Sequence, residues 1–223
     1  MESKPSVLVF DVIETLFSLE SLKPRFQKVG LPAEALPLFF ARMLRDAFAS
    51  EVAGSYVPFR DIARATLRIT AANYELAVDS TQIDDVIAGF AGLEPHPDVR
   101  EAFERIHLAE VRILTLTNGS AENTVKLIAN AGLADFVEKT ISIDTVRHWK
   151  PHRDVYLHVV REASVDAGRI AMIAAHAWDT HGAKQAGLRT GWVQRAEKAY
   201  SAALSQPDAQ GKTLVEVVER LLG

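Results

Sequence analysis

The side chains best able to do chemistry collect at four places where an apolar run gives way to polar residues. The first is Phe10-Asp11-Val12-Ile13-Glu14-Thr15-Leu16, where a carboxylate directly follows the run Val7-Leu8-Val9-Phe10. An ionised carboxylate in that position can act as a covalent nucleophile. The second is Leu116-Thr117-Asn118-Gly119-Ser120, which joins hydroxyl, amide and flexible backbone just before an expected helix N-terminus, a natural anion site. The third is Trp149-Lys150-Pro151, a cation followed by a proline that suits the first turn of a helix. The fourth is Ala174-Ala175-His176-Ala177-Trp178-Asp179, again strand, loop and helix. Each segment has an ordinary structural reading: a capping Asp, a turn with its cap, a solvated lysine. Their order and spacing together are what carry a catalytic reading.

The elements that must position these groups follow from periodicity. Val7–Phe10, Val111–Leu116 and Ile170–Ala175 are near-continuous apolar runs, and Thr140–Ile143 and Thr190–Val193 are weaker ones. Such runs suit parallel strands covered on both faces. Helical spacing appears over 97–107, 121–131, 153–163, 180–186 and 214–222. Strand alternating with helix implies βαβ units with right-handed crossovers. From about Leu16 to Gly92 the alternation breaks. That stretch carries no convincing strand but several amphipathic helices, near 19–29, 33–52, 59–77 and 83–91. The expected architecture is an α/β, Rossmann-like parallel-sheet core, residues 1–16 and 93–223. A helical cap, residues 17–92, is inserted after the first strand, above the carboxyl ends of the strands. The polar segment 195–212 reads as a loop or loose helix.

These motifs resemble the haloacid dehalogenase superfamily along essentially the whole chain. Asp11 with Thr15 matches its nucleophile motif, Thr117-Asn118 the second motif, Lys150 the third and Asp179 the fourth. Within the superfamily the chain looks most like the type II 2-haloacid dehalogenases. The shared features are Asn118-Gly119-Ser120, Lys150-Pro151 with Tyr156 six residues after the lysine, and Ala177-Trp178-Asp179. The resemblance also makes Arg42 the anion-binding arginine, with Arg45 as its substitute in a shifted register.

One departure separates the subfamilies. Phosphatases of the superfamily place an Asp two residues after the nucleophile to protonate the leaving alkoxide. This chain has Ile13 there, which transfers no proton. Losing a general acid removes roughly a 10²–10⁴-fold acceleration, whereas a halide leaves without a proton. In the fourth motif Ala174 and His176 stand where well-known type II dehalogenases have Ser and Asn. The resemblance therefore implies a hydrolase that displaces halide from a short 2-haloalkanoic acid through an Asp11 ester, giving a 2-hydroxy acid. Lys150 would hold Asp11 ionised, and Asp179 would anchor Lys150 and help place water. His176 is a second candidate for activating that water. Thr15, Thr117, Asn118 and nearby backbone amides would bind the substrate carboxylate, and Arg42 the halide or the carboxylate. Ile13, Tyr156, Trp178 and Phe59 would line the apolar part of the pocket. No cofactor or metal is expected. The alternatives are a small-molecule phosphatase, in which Asp11, Asp179 and a backbone carbonyl would hold Mg²⁺, and a non-catalytic family member.

Composition narrows the classes further. The 223 residues contain no cysteine, which excludes disulfides, thiolate metal sites and a cysteine nucleophile. A net charge of −4 gives no basic footprint for nucleic acid. The start, Met1-Glu2-Ser3-Lys4-Pro5, lacks a leader pattern, and no apolar run is long enough for a membrane span, so a cytoplasmic protein is expected. The expected partner is a small anionic substrate. A homodimer is compatible with the apolar stretch Leu36-Pro37-Leu38-Phe39-Phe40, which suits an interface or the inside of the cap. Arg60, Arg64 and Arg68 form a stripe that reads as a solvated helix face or an attractor of anions. His148 and His152 flank Lys150-Pro151 without a carboxylate at ligand spacing, and His96, His107 and His181 read as surface residues.

Overall fold

The computed structural model describes residues 4–223; Met1–Ser3, on which the reading of the N-terminal start partly rests, lie outside the described residues. The strands are β1 (Val7–Asp11), β2 (Phe17–Ser18), β3 (Glu94–Pro95), β4 (Arg112–Thr117), β5 (Val137–Ser142), β6 (Ile170–Ala174), β7 (Arg189–Val193) and β8 (Ala209–Gly211). The helices are α1 (Lys23–Lys28), α2 (Ala35–Val52), α3 (Phe59–Asn73), α4 (Ser80–Ala88), α5 (Val99–Leu108), α6 (Ala121–Asn130), α7 (Arg153–Ala163), α8 (Ala177–Gln185) and α9 (Leu214–Leu222). The chain divides into two compact units. One runs through Phe17 and resumes from Pro95 to Gly223; the other is Ser18–Glu94. No helix among the described residues is long and apolar enough to cross a membrane.

The first unit is built on a six-stranded sheet in the order β5-β4-β1-β6-β7-β8, every pairing parallel. Five residues of β1 and five of β6 are buried throughout, which is why both read as unbroken apolar runs. The chain moves outward from β1 through β4 to β5, then returns to β6 on the other side of β1. That reversal is the switch point at which open α/β sheets leave a crevice beyond the strand ends. Asp11 ends β1, and Ala175-His176 follow β6 directly.

Several boundaries differ from the sequence reading. The segment expected as loop or loose helix contains β8, a parallel edge strand beside β7. Ala209-Gln210-Gly211 has no β-branched or aromatic residue, so neither propensity nor alternation announces it. Phe17–Ser18 is a two-residue strand in the stretch read as strand-free, and it pairs with β3. Helix α8 begins at Ala177 rather than Thr180, which puts Asp179 in its first turn, where a carboxylate meets the positive end of the helix dipole. Pro151 is not in a helical first turn; α7 starts at Arg153, with the His152 side chain accepting from the Asp154 amide. His96 is half-buried rather than exposed because its Nε2 donates to the Glu14 carbonyl at 3.1 Å. His181, also read as surface, is half-buried and accepts from the Ser205 amide at Nδ1 (3.1 Å).

The second unit is helical. Phe26 and Phe39 meet edge-on at 5.4 Å, and Leu36, Phe39 and Phe40 are buried, leaving Leu38 as the exposed large apolar residue of that stretch. Two of the three stripe arginines, Arg60 and Arg64, pair with Asp84 on α4, so part of the stripe ties helices together.

One glycine lets α8 approach the segment bearing Lys150 and Tyr156. A Cβ at Gly182 would lie 2.5 Å from Pro151 Cβ and 2.9 Å from Tyr156 Oη. Gly182→Ala should therefore cost about 1–3 kcal/mol in urea unfolding. An unchanged unfolding midpoint would contradict this packing.

Candidate active site

Asp11 is placed by β1, where its backbone stands opposite Leu116 of β4. The chain then turns sharply: the Leu16 and Phe17 amides both donate to the Val12 carbonyl, at 2.9 and 3.0 Å. Within this turn Glu14 takes φ 67°, a left-handed conformation unusual for a residue with a side chain. The turn is pinned from outside. His96 holds the Glu14 carbonyl, and Arg195 donates to the Thr15 carbonyl at 3.3 Å. Arg195 is itself held by both oxygens of Asp98, at 3.0 and 2.8 Å, and Asp98 also accepts from the Leu214 amide at 2.7 Å. Burial pushes the Asp98 carboxyl up, but Arg195 and the Leu214 amide outweigh it and its pKa lies below the usual value. Nothing in residue type or spacing pointed to His96, Asp98 and Arg195: His96 and Arg195 hold backbone carbonyls far away in sequence, and Asp98 acts through Arg195 and the Leu214 amide.

At the centre is Lys150, which has no exposed surface. Its Nζ donates to Asp11 Oδ1 at 2.6 Å, to Asp179 Oδ2 at 2.7 Å and to the Leu116 carbonyl at 3.2 Å. Burial favours the neutral amine, yet the charges of Asp11 and Asp179 outweigh it and raise the lysine's pKa. The ammonium is thus fixed as a cation between two carboxylates. Thr15 Oγ1 donates to Asp11 Oδ2 at 2.6 Å and accepts from the Ala175 amide at 2.9 Å, linking the turn to the loop after β6. Tyr156 Oη donates to Asp179 Oδ1 at 2.6 Å. Burial and the neighbouring Asp179 charge push the phenol well above its ordinary pKa, so it stays a neutral donor.

The two carboxylates are not equivalent. Asp179 is fully buried with one oxygen on Lys150 and the other on Tyr156, while the Asp11 side chain keeps 9% exposure. Only Asp11 of this pair can meet a substrate. His176 follows β6, and its Nε2 lies 2.8 Å from Glu14 Oε2 and its Nδ1 4.0 Å from Asp11 Oδ2. Trp178 stacks on the His176 ring, centroids 5.2 Å apart.

The remaining sequence candidates are placed as follows. The Thr117 hydroxyl accepts from the Gly119 amide at 2.9 Å, and Asn118 Oδ1 accepts from the Lys150 amide at 3.2 Å. Both thus shape the loop that positions Lys150, beyond the anion-binding role the resemblance implied. Ile13 is half-buried in the turn after Asp11. Arg42 belongs to the second unit, on α2, where its guanidinium faces the Asn73 side-chain oxygen at 2.9 and 3.3 Å, with the amide turned to accept. Arg45 is exposed and pairs with its neighbour Asp46.

In this arrangement Asp179 offers no free oxygen to a cation such as Mg²⁺. That ion demands near-octahedral oxygen ligation, whereas the space between Asp11 and Asp179 holds the Lys150 ammonium and the second Asp179 oxygen is taken by Tyr156.

Residues 6–187 match the model of the haloacid dehalogenase-like hydrolases. The chain belongs to that family. Among curated haloacid dehalogenase-like hydrolases, it is 25% identical over 214 residues to an (S)-2-haloacid dehalogenase of Pseudomonas sp. strain YL, covering 95% of this chain and 92% of the relative. It is 26% identical to haloacetate dehalogenase H-2 of Moraxella sp. strain B, covering 92% of each. The solved L-2-haloacid dehalogenase of Xanthobacter autotrophicus superposes with a TM-score of 0.91 at 23% identity, over 98% of this chain and 99% of that one.

The site also sets a pH dependence. Burial pushes His176 down, but its bond to Glu14 and the charges of Asp11, Glu14 and Asp179 outweigh burial and raise its pKa above 6.5. A raised histidine pKa adds stability that is complete below 6.5 and is lost as pH rises through the folded value. The stability advantage of the wild type over His176→Asn should shrink as pH rises above 6.5 in urea titrations. An advantage that grows with pH would contradict the charge environment described.

Proposed function

We propose that this protein hydrolyses the carbon–halogen bond of a short 2-haloalkanoic acid, giving a 2-hydroxy acid. The observation that carries the reading is the asymmetric pair around Lys150: of the two carboxylates Asp11 alone keeps any accessible surface, and Ile13 stands where an acid for an oxygen leaving group would be needed. The names of the related dehalogenases support it. Asp11 attacks the carbon bearing the halogen from the side opposite the halide. The carbon–halogen bond breaks, the halide leaves with the electron pair, and an ester to Asp11 forms. Lys150 and Thr15 fix the direction of attack, because each holds one oxygen of the carboxylate. Positioning of this kind supplies much of the rate when reacting atoms are held at about 3–3.5 Å. Water then cleaves the ester at the Asp11 carbonyl. Asn118 and nearby backbone amides take the substrate carboxylate, while Ile13 and Trp178 supply apolar walls. No metal takes part. A cytoplasmic setting fits a chain without cysteine.

Halide release from L-2-chloropropionate and chloroacetate should persist in EDTA and disappear in Asp11→Asn, with no hydrolysis of para-nitrophenyl phosphate in Mg²⁺. Phosphate hydrolysis that needs Mg²⁺, without halide release, would overturn the reading.

A further inference from the structure

We infer that the cavity where β7 and β8 end against α9 is a binding site for a small multivalent anion, and that its occupancy slows turnover at Asp11 through the segment 194–200. The cavity measures about 510 Å³, a size typical of small-molecule sites. Trp192 and Tyr200, in edge-to-face contact at 5.6 Å, form its apolar side. Lys198, Lys212 and Arg220 bring three cations to it against one carboxylate, Glu216. That carboxylate is already engaged, since its Oε2 accepts from the Lys212 amide at 2.8 Å. Cations gathered around a concavity, in a chain of net charge −4, give it a local field that favours anions.

The three cations come from three places: Lys198 from the loop after β7, Lys212 from the turn after β8, and Arg220 from α9. A ligand with one negative group meets one of them, whereas a ligand with two or more can meet several at once. Arg220 is anchored through Nη1 on the Gln210 carbonyl, which sets its guanidinium beside the cavity. A guanidinium presents paired donors that match carboxylate and phosphoryl oxygens, and the two lysines add point charges. The chemistry is therefore that of a polycarboxylate or a phosphoryl-bearing metabolite.

One wall of the cavity also supports the catalytic turn. Trp192 Nε1 donates to the Ala175 carbonyl at 2.8 Å, and Glu197 Oε2 accepts from the Ala177 amide at 3.4 Å. Ala177 opens the helix that carries Asp179. Arg195 grips the Thr15 carbonyl in the turn after Asp11. Lys198 Nζ in turn donates to the Arg195 carbonyl at 2.7 Å. An anion in the cavity competes for that ammonium. Drawing it away removes a bond from the backbone of the residue that holds the turn. The anion thus binds best with Lys198 facing the cavity, while turnover is fastest with Lys198 on the Arg195 carbonyl. A ligand couples to a distant site through such a difference in contacts between two states.

The test is calorimetric titration of the intact chain with citrate and, separately, with inorganic pyrophosphate in metal-free buffer, so that the two arms distinguish a carboxylate from a phosphoryl source. At least one probe should bind with a Kd of about 1 mM or tighter. Lys212→Glu and Arg220→Gln should each weaken it about 10-fold, and raising salt from about 0.05 M to about 0.3 M should weaken it further. The binding half stands apart from the reaction assigned to Asp11; the kinetic half rests on that reading. Saturating probe should lower kcat for halide release from L-2-chloropropionate about 5-fold at unchanged KM in the wild type and leave Lys212→Glu unaffected. Without probe, both variants should turn over at the wild-type rate. No binding of either probe at about 10 mM would overturn the site, as would equal binding in the wild type and both variants. Binding that the variants abolish, with kcat unchanged, would overturn the coupling. A wild type that binds the probe but releases no halide would keep the site and overturn the dehalogenase reading instead.

Discussion

A lysine ammonium with no exposed surface lies within 2.7 Å of two carboxylates, and the rest of the first unit is arranged so that this is tolerable. Burying an unpaired charge costs several kcal/mol, and breaking a buried pair from one side typically costs about 3–5 kcal/mol. The three groups come from β1, the segment before α7 and the first turn of α8. They meet only because β1 and β6 are neighbours and α8 starts immediately after β6. The parallel order of the sheet is therefore the means of assembling one cation and two anions from distant parts of the chain.

The same constraint divides the labour between the carboxylates. Tyr156 completes Asp179 from the closed side, and Gly182 permits the approach that brings it there. Asp179 thus acts as a fixed counter-charge. Asp11 faces the other way, with Thr15 and Lys150 each holding one oxygen. A carboxylate fixed at both oxygens yet still accessible loses little freedom on reaching a transition state. On the accessible side stand Glu14 and His176, a second pair of ionisable groups that Lys150 does not hold.

Much of this was legible in the sequence where chemistry and periodicity coincide. The runs ending at Asp11 and before His176 are buried strands, and a short polar segment after a buried strand has few places to go. Asp11, Thr15, Lys150, Tyr156 and Asp179 do share one hydrogen-bonded cluster, and the His176 ring stands 4.0 Å from Asp11. What stayed hidden depends on three dimensions. Glu14 drew no reading of its own, because nothing local announces a left-handed turn in a residue other than glycine. His96 and Arg195 act on backbone carbonyls, which leave no trace in residue type. The strand β8 is specified by the edge of β7 rather than by its own residues. The start of α8 was misplaced because Ala177-Trp178-Asp179 reads equally as loop until β6 fixes where the chain must turn.

The most direct test of the account is a single turnover with enzyme in excess over L-2-chloropropionate in heavy-oxygen water, followed by peptide mass analysis. The account predicts ordinary oxygen in the hydroxy-acid product and one heavy oxygen in the peptide carrying Asp11. Heavy oxygen in the product, with Asp11 unlabelled, would show that water attacks the substrate carbon directly and that Asp11 is not the nucleophile.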